Sequence, residues 1–91
     1  MTERSYEEIS REIGQLVDKK NVAYGNSFEK SSEFLEILYP NGIEAEDYGD
    51  VLLLARMFDK MMRIANQKEA FEENPYKDIT GYGLLGVGMN D

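Results

Sequence analysis

The chain has 91 residues and carries a net charge of −8, from 18 acids against 10 bases, with neither cysteine nor histidine. That length makes one domain, and the missing residue types exclude disulfides, thiolate metal sites, a Ser-His-Asp centre and a histidine-ligated zinc hydrolase within one chain. The acidic balance excludes long DNA or RNA as the expected partner, because tracking phosphates needs clustered positive charge; a small anion can still be held by a few local bases.

Any catalysis would fall to carboxylates with magnesium, a cation content with oxygen ligands. The opening MTERSYEE is polar and acidic, unlike a signal or transit peptide, and no apolar run approaches the length of a membrane span. The expected location is cytoplasmic, the host cytoplasm if the protein is viral, with no membrane partner.

In chain order, the first helix is predicted over about Tyr6 to Lys20. Ser5 and Glu8 form an S-x-x-E capping box, and Tyr6, Ile9, Ile13, Leu16 and Val17 recur at helical spacing. Lys19 and Lys20 suit a last turn, with Asn21 as the stop. Asn21 to Ser27 reads as a loop, and Ser27 as the N-cap of a second helix from Phe28 to about Tyr39, ended by Pro40-Asn41-Gly42. A third and longest helix, roughly Ala45 to Asn66, is apolar on more than one side, which places it centrally or shares it with another subunit. Sharing is the expectation in so short a chain. Gln67 to Asn74 is acidic and irregular. Asn74 and Pro75 then open a last helix, whose Gly81, Gly83 and Gly86 imply either close backbone packing or fraying from Gly86 onward. The fold class is therefore all-α, a compact bundle of about four helices in a single domain spanning residues 1–91.

Three constellations carry chemistry. Arg56, Asp59, Lys60 and Arg63 share one side of the third helix, giving a cationic strip fit for phosphate or else a solvated face. The stretch Ala23-Tyr24-Gly25-Asn26-Ser27-Phe28 sets two aromatics, an amide and a hydroxyl around a helix start, where free N–H groups attract anions; Phe28 either faces a ligand or enters the core. Acids pair as Glu33-x-x-Glu36 and Glu44-x-x-Asp47, spacings that serve magnesium in MazG-type pyrophosphohydrolases or simply face solvent.

AYGNSFEKS (Ala23 to Ser31), LYPNGI (Leu38 to Ile43), Tyr48-Gly49-Asp50, ARMFDKMMRIAN (Ala55 to Asn66) and DITGYGLLG (Asp78 to Gly86) come in one order and together span about two-thirds of the chain. This string resembles the phage nucleotide-modification-associated domains, MazG-like and all-α. The middle motif, matched by Arg56, Asp59, Lys60 and Arg63, is the most specific part. The resemblance implies an oligomer, a tetramer by analogy with MazG-like folds, built around nucleotide ligands. It departs where Asn74-Pro75 breaks the glutamate-rich segment (Glu69, Glu72, Glu73) ahead of Asp78, which tells against a preorganised magnesium cage.

The resulting expectation is a viral sponge of the anti-CBASS type. It would bind a cyclic dinucleotide, or a related adenine- or ADP-ribose-based signal, at a subunit interface without cleaving it, and without a metal or other cofactor. Arg56, Lys60 and Arg63 would hold phosphates, and Asp59 belongs to the same strip. Tyr24, with Phe28 or Tyr82, would stack on bases. Asn26 and Asp78 would read base edges or ribose hydroxyls, and Ser27 adds a hydroxyl at the helix start. The alternatives are a magnesium-dependent nucleotide pyrophosphohydrolase or modification accessory using Glu33, Glu36, Asp59 and Asp78, and a protein that binds a host helix through Met57, Phe58, Met61 and Met62.

Overall fold

The computed structural model describes residues 3–69, 71 and 73–91, and every regular element among them is helical. Four α-helices follow in order: α1 (Tyr6–Tyr24), α2 (Ser27–Leu38), α3 (Tyr48–Gln67) and α4 (Pro75–Met89), with a 3-10 turn, Ala45–Asp47, leading into α3. The all-α, four-helix expectation holds. None of the helices is long and apolar enough to cross a membrane.

The first helix starts as expected, with the Ser5 hydroxyl accepting from the Glu8 N–H at 3.2 Å. It does not stop at Asn21. It continues one more turn and closes at Gly25, where Asn26 N–H reaches Asn21 O at 3.0 Å and Gly25 N–H reaches Val22 O at 3.3 Å. These are the paired bonds of a Schellman stop, which requires the left-handed conformation that Gly25 adopts at φ 62°. A Cβ on Gly25 would also overlap the Asn66 side chain on α3, so two constraints select glycine there.

The hinge between α1 and α2 is therefore two residues, not a seven-residue loop. Asn26, also left-handed at φ 60°, is the N-cap of α2, and its main-chain oxygen takes the N–H groups of Glu29 and Lys30. Ser27 is the first residue inside α2 and is buried, so it is not the cap.

The breadth of the apolar surface of α3 is largely used inside the chain, the alternative to the expected sharing with another subunit, although Tyr48, Leu52 and Met61 stay exposed on it. The helix packs against α1, α2 and α4, and is the hub of the fold. Phe58 on α3 stacks on Phe34 of α2, with ring centroids 4.4 Å apart and planes 14° from parallel. The remaining helix, α4, runs back along α3 in the opposite direction: Glu73 lies against Arg63, Asp78 against Lys60, and Gly86 against Leu53. Its start is as expected, with the Asn74 side chain accepting from Tyr76 N–H at 3.1 Å and Pro75 in the first turn. Rather than fraying at Gly86, the helix persists to Met89. A Cβ on Gly86 would meet the Leu53 side chain at 3.6 Å, whereas Gly81, Gly83 and Gly88 face open space.

The molecule is elongated, 51 × 28 × 26 Å, with a radius of gyration of 16.4 Å. Its accessible surface is 7266 Å², against about 5,400 Å² for an ordinary folded monomer of this mass. Ala23 and Pro75 are the fully buried apolar side chains among the described residues. Ile13, Leu16 and Val17 on α1, and Leu84, Leu85 and Val87 on α4, are exposed.

Candidate functional site

Extending α1 to Tyr24 has a functional consequence. Lys20, Asn21 and Tyr24 then share one face of a single helix, three or four residues apart. The tight Gly25-Asn26 hinge brings Ser27 and Phe28 beside them, and α3 presents Arg56, Asp59 and Lys60 opposite. With Tyr82 from α4, these residues line an open pocket of about 250 Å³. Its walls carry three cations and one carboxylate, on a chain whose net charge is −8.

The polar contacts inside the pocket are specific. Ser27 Oγ donates to Asp59 Oδ1 at 2.8 Å, tying the start of α2 to the middle of α3. Lys60 Nζ lies 3.3 Å from Asp78 Oδ2 and 3.5 Å from the Tyr24 hydroxyl. Burial alone would lower the Lys60 pKa, but the hydrogen bond to Asp78 and the nearby Tyr24 outweigh it and hold the ammonium above its ordinary value of 10.5. Lys60 is thus a fixed positive charge at neutral pH. Arg56 is exposed and has no ion-pair partner among the described residues.

The aromatic groups divide by accessibility. Tyr24 stacks loosely on Phe71, centroids 6.4 Å apart, and Lys60 Nζ stands 5.7 Å from its centroid. Its ring is largely engaged within the chain. Phe28 is 85% exposed at the pocket rim, so it does not enter the core. Tyr82 is half-buried in the wall. Phe28 therefore offers the most accessible ring for stacking, while Tyr24 and Tyr82 are both half-buried.

Beside this pocket a second groove of about 540 Å³ is lined by Lys60, Glu73, Asn74, Lys77, Asp78 and Tyr82. Lys60 and Tyr82 belong to both, so Asp78 reaches the site from the adjacent groove and not from the pocket wall.

Seven of the ten residues singled out from the sequence meet in the pocket: Tyr24, Ser27, Phe28, Arg56, Asp59, Lys60 and Tyr82. Asn26 is exposed at the hinge and does not line it. Arg63 corrects the expectation most sharply. It is completely buried, its Nη1 bonded to Glu73 Oε2 at 2.8 Å and its Nη2 to the Glu73 carbonyl at 2.7 Å. Helical spacing puts Arg63 on the strip, but the return of α4 covers that end, so the guanidinium anchors the chain entering α4 and leaves no fork for phosphate.

Three contributors were missed. The expected helix end leaves Lys20 and Asn21 off the site; the left-handed stop at Gly25 puts them on the Tyr24 face. Phe71, held at φ 62°, packs over Tyr24 with Lys19 and Lys20 each 5.8 Å from its ring centroid, and no local pattern announces it.

The acid pairs take other roles. Glu33 and Glu36 are exposed on α2, away from the pocket. Glu44 and Asp47 form a reciprocal capping box, with Glu44 N–H donating to Asp47 Oδ2 at 3.1 Å. Of the glutamates ahead of Asp78, Glu73 binds Arg63, Glu69 is exposed, and Glu72 lies outside the described residues. Among the described residues no three acids cluster as a metal site. Comparison of the chain with family models, curated proteins and solved structures found no match.

Proposed function

We propose that this chain is a nucleotide sponge. It binds a cyclic dinucleotide or a related small nucleotide signal in the pocket between α1, α2, α3 and Tyr82, and releases it intact. The observation that carries this reading is the convergence of Lys20, Arg56 and Lys60 with the rings of Phe28 and Tyr82 in one pocket of a strongly acidic protein. Cations in a concave site with aromatic walls suit a ligand that is both phosphorylated and planar. Binding without turnover is favoured because the pocket offers one carboxylate, tied to Ser27, and no histidine to move a proton.

Magnitudes favour a shared site. Nanomolar capture requires about 12 kcal/mol. A charge-assisted hydrogen bond nets roughly 1.5–3 kcal/mol and a base stack roughly 1–3 kcal/mol, before association costs are subtracted. A pocket of 250 Å³ is below the usual range of about 300–1,000 Å³ for small-molecule sites. At that size a cyclic dinucleotide needs a further wall. A second copy, docked through the exposed apolar faces of α1 and α4, would supply it.

The test is to incubate the protein with cyclic dinucleotides and linear nucleoside triphosphates in magnesium, denature it, and analyse the released ligand by mass spectrometry. A sponge returns the cyclic dinucleotide unchanged and leaves the triphosphates intact. Monophosphate and pyrophosphate would instead identify a magnesium-dependent pyrophosphohydrolase.

A further inference from the structure

One group in the pocket has the wrong charge for holding phosphate. Asp59 is half-buried and is the one carboxylate among the lining residues. Its Oδ1 accepts from Ser27, and its Oδ2 has no partner among the described residues. Lys60 and Arg56, adjacent to it on α3, leave its charge in place: Lys60 pairs with Asp78 instead, at 3.3 Å. A carboxylate is acceptor-only, so an idle oxygen in a cationic, aromatic-lined pocket is suited to a ligand edge rich in donors.

Resting on the nucleotide reading above, we propose that Asp59 makes this pocket selective for guanine. The Watson–Crick edge of guanine sets two donors, N1–H and the N2 amine, side by side, a spacing that a carboxylate can accept with both oxygens. Next to them stands the O6 acceptor, which suits a cation or amide donor such as Lys60 or Asn21 on the same walls. Adenine reverses this pattern: its N1 is an acceptor and would face the carboxylate lone pairs, while its N6 amine would face the cations. Discrimination then comes from a repulsive mismatch as much as from the bonds gained. Ser27 holds the carboxylate in place through its hydroxyl at 2.8 Å, so the reader is oriented before the ligand arrives.

The experiment is calorimetric titration of GMP, IMP, AMP and XMP into the wild-type protein, Asp59→Asn and Ser27→Ala. The wild type should bind GMP at least tenfold more tightly than AMP, with IMP, which keeps N1–H but lacks the amine, between them. Asp59→Asn retains an acceptor for Ser27 and keeps the side-chain shape, but replaces one acceptor with a donor. It should lose GMP affinity by tenfold or more and gain affinity for XMP, whose C2 carbonyl takes the place of the amine. Ser27→Ala should keep the GMP-over-AMP order. AMP binding as tightly as GMP would overturn the assignment, as would Ser27→Ala reproducing the full Asp59→Asn profile, which would mean that only the tie between α2 and α3 matters. Failure of all four mononucleotides and of cyclic di-GMP to bind would overturn the nucleotide reading itself, a result distinct from binding without preference. Circular dichroism of both variants confirms that the helices persist.

Discussion

Arg63 and Arg56 have the same chemistry and sit seven residues apart on α3, yet the fold gives them opposite tasks. Arg63 is 0% exposed and both terminal nitrogens are committed to Glu73, whereas Arg56 faces the pocket without a competing partner among the described residues. Periodicity places both on one strip, because it reports the angle around the helix axis. Which part of the strip is covered depends on where α4 returns, and that is a tertiary fact. Breaking the anchor from its Glu73 side should therefore be expensive: Glu73→Ala leaves a buried guanidinium with only a main-chain acceptor. A loss of about 2–4 kcal/mol is expected in urea denaturation, while Glu69→Ala, on an exposed neighbour, should change stability by less than about 0.5 kcal/mol. Equal effects would contradict the anchor.

Lys60 sets the pH behaviour. Burial opposes its charge, but Asp78 and Tyr24 prevail and its pKa is raised above 10.5 in the folded state. A raised pKa means that its contribution to stability is fully present below the unfolded value and is lost as pH climbs through the folded one. With no histidine in the chain, the affinity for cyclic di-GMP should be flat from about pH 6.5 to 9, far below the window where Lys60 titrates. A severalfold change within that range, measured by calorimetry, would show that another group controls the site.

At the scale of elements, capping chemistry was the legible part. Ser5, Asn74 and Pro75 mark their helix starts as their side-chain chemistry dictates. Asn21 and Ser27 misled because each has cap-forming chemistry without occupying a cap. Val22, Ala23 and Tyr24 carry the helix on, and Asn26 takes the cap in a left-handed conformation through its main chain. The pocket was legible to the same degree. Tyr24, Ser27, Phe28, Tyr82 and, from the α3 strip, Arg56, Asp59 and Lys60 are legible in the sequence, but the misplaced helix end hides Lys20 and Asn21.

Gly25 is the residue on which this hinge turns. Gly25→Ala should destabilise by about 1–2 kcal/mol for the left-handed backbone alone, with a further loss from the overlap with Asn66. In a double-variant cycle monitored by chemical denaturation, Asn66→Ala should recover the overlap and leave the backbone cost. Full recovery would mean that the left-handed conformation carries no cost. No recovery would mean that Gly25 and Asn66 do not pack.

At the scale of the whole molecule, the governing quantity is unburied surface. The 7266 Å² exposed by one chain exceeds the value for an ordinary monomer of this mass by about 1,800 Å², and a standard interface takes about 800 Å² from each partner. The excess is enough for two such faces, and the proposed oligomer would draw on that surface. Sedimentation at micromolar concentration should give a mass several times 10.4 kDa. Leu84→Glu, on the exposed face of α4, should lower it without unfolding the chain. A monodisperse monomer in the wild type would remove the shared wall from the binding site.

The pocket is central to the proposed function, and Arg56 tests it most directly, because the side chain lines the site and carries no ion pair among the described residues. Cyclic di-GMP titrated calorimetrically into wild type and Arg56→Ala should bind the variant at least tenfold more weakly, as expected for loss of a charge-assisted contact, with the thermal unfolding midpoint unchanged. Equal affinity in the two proteins, with both folded, would contradict the assignment of this pocket as the phosphate site.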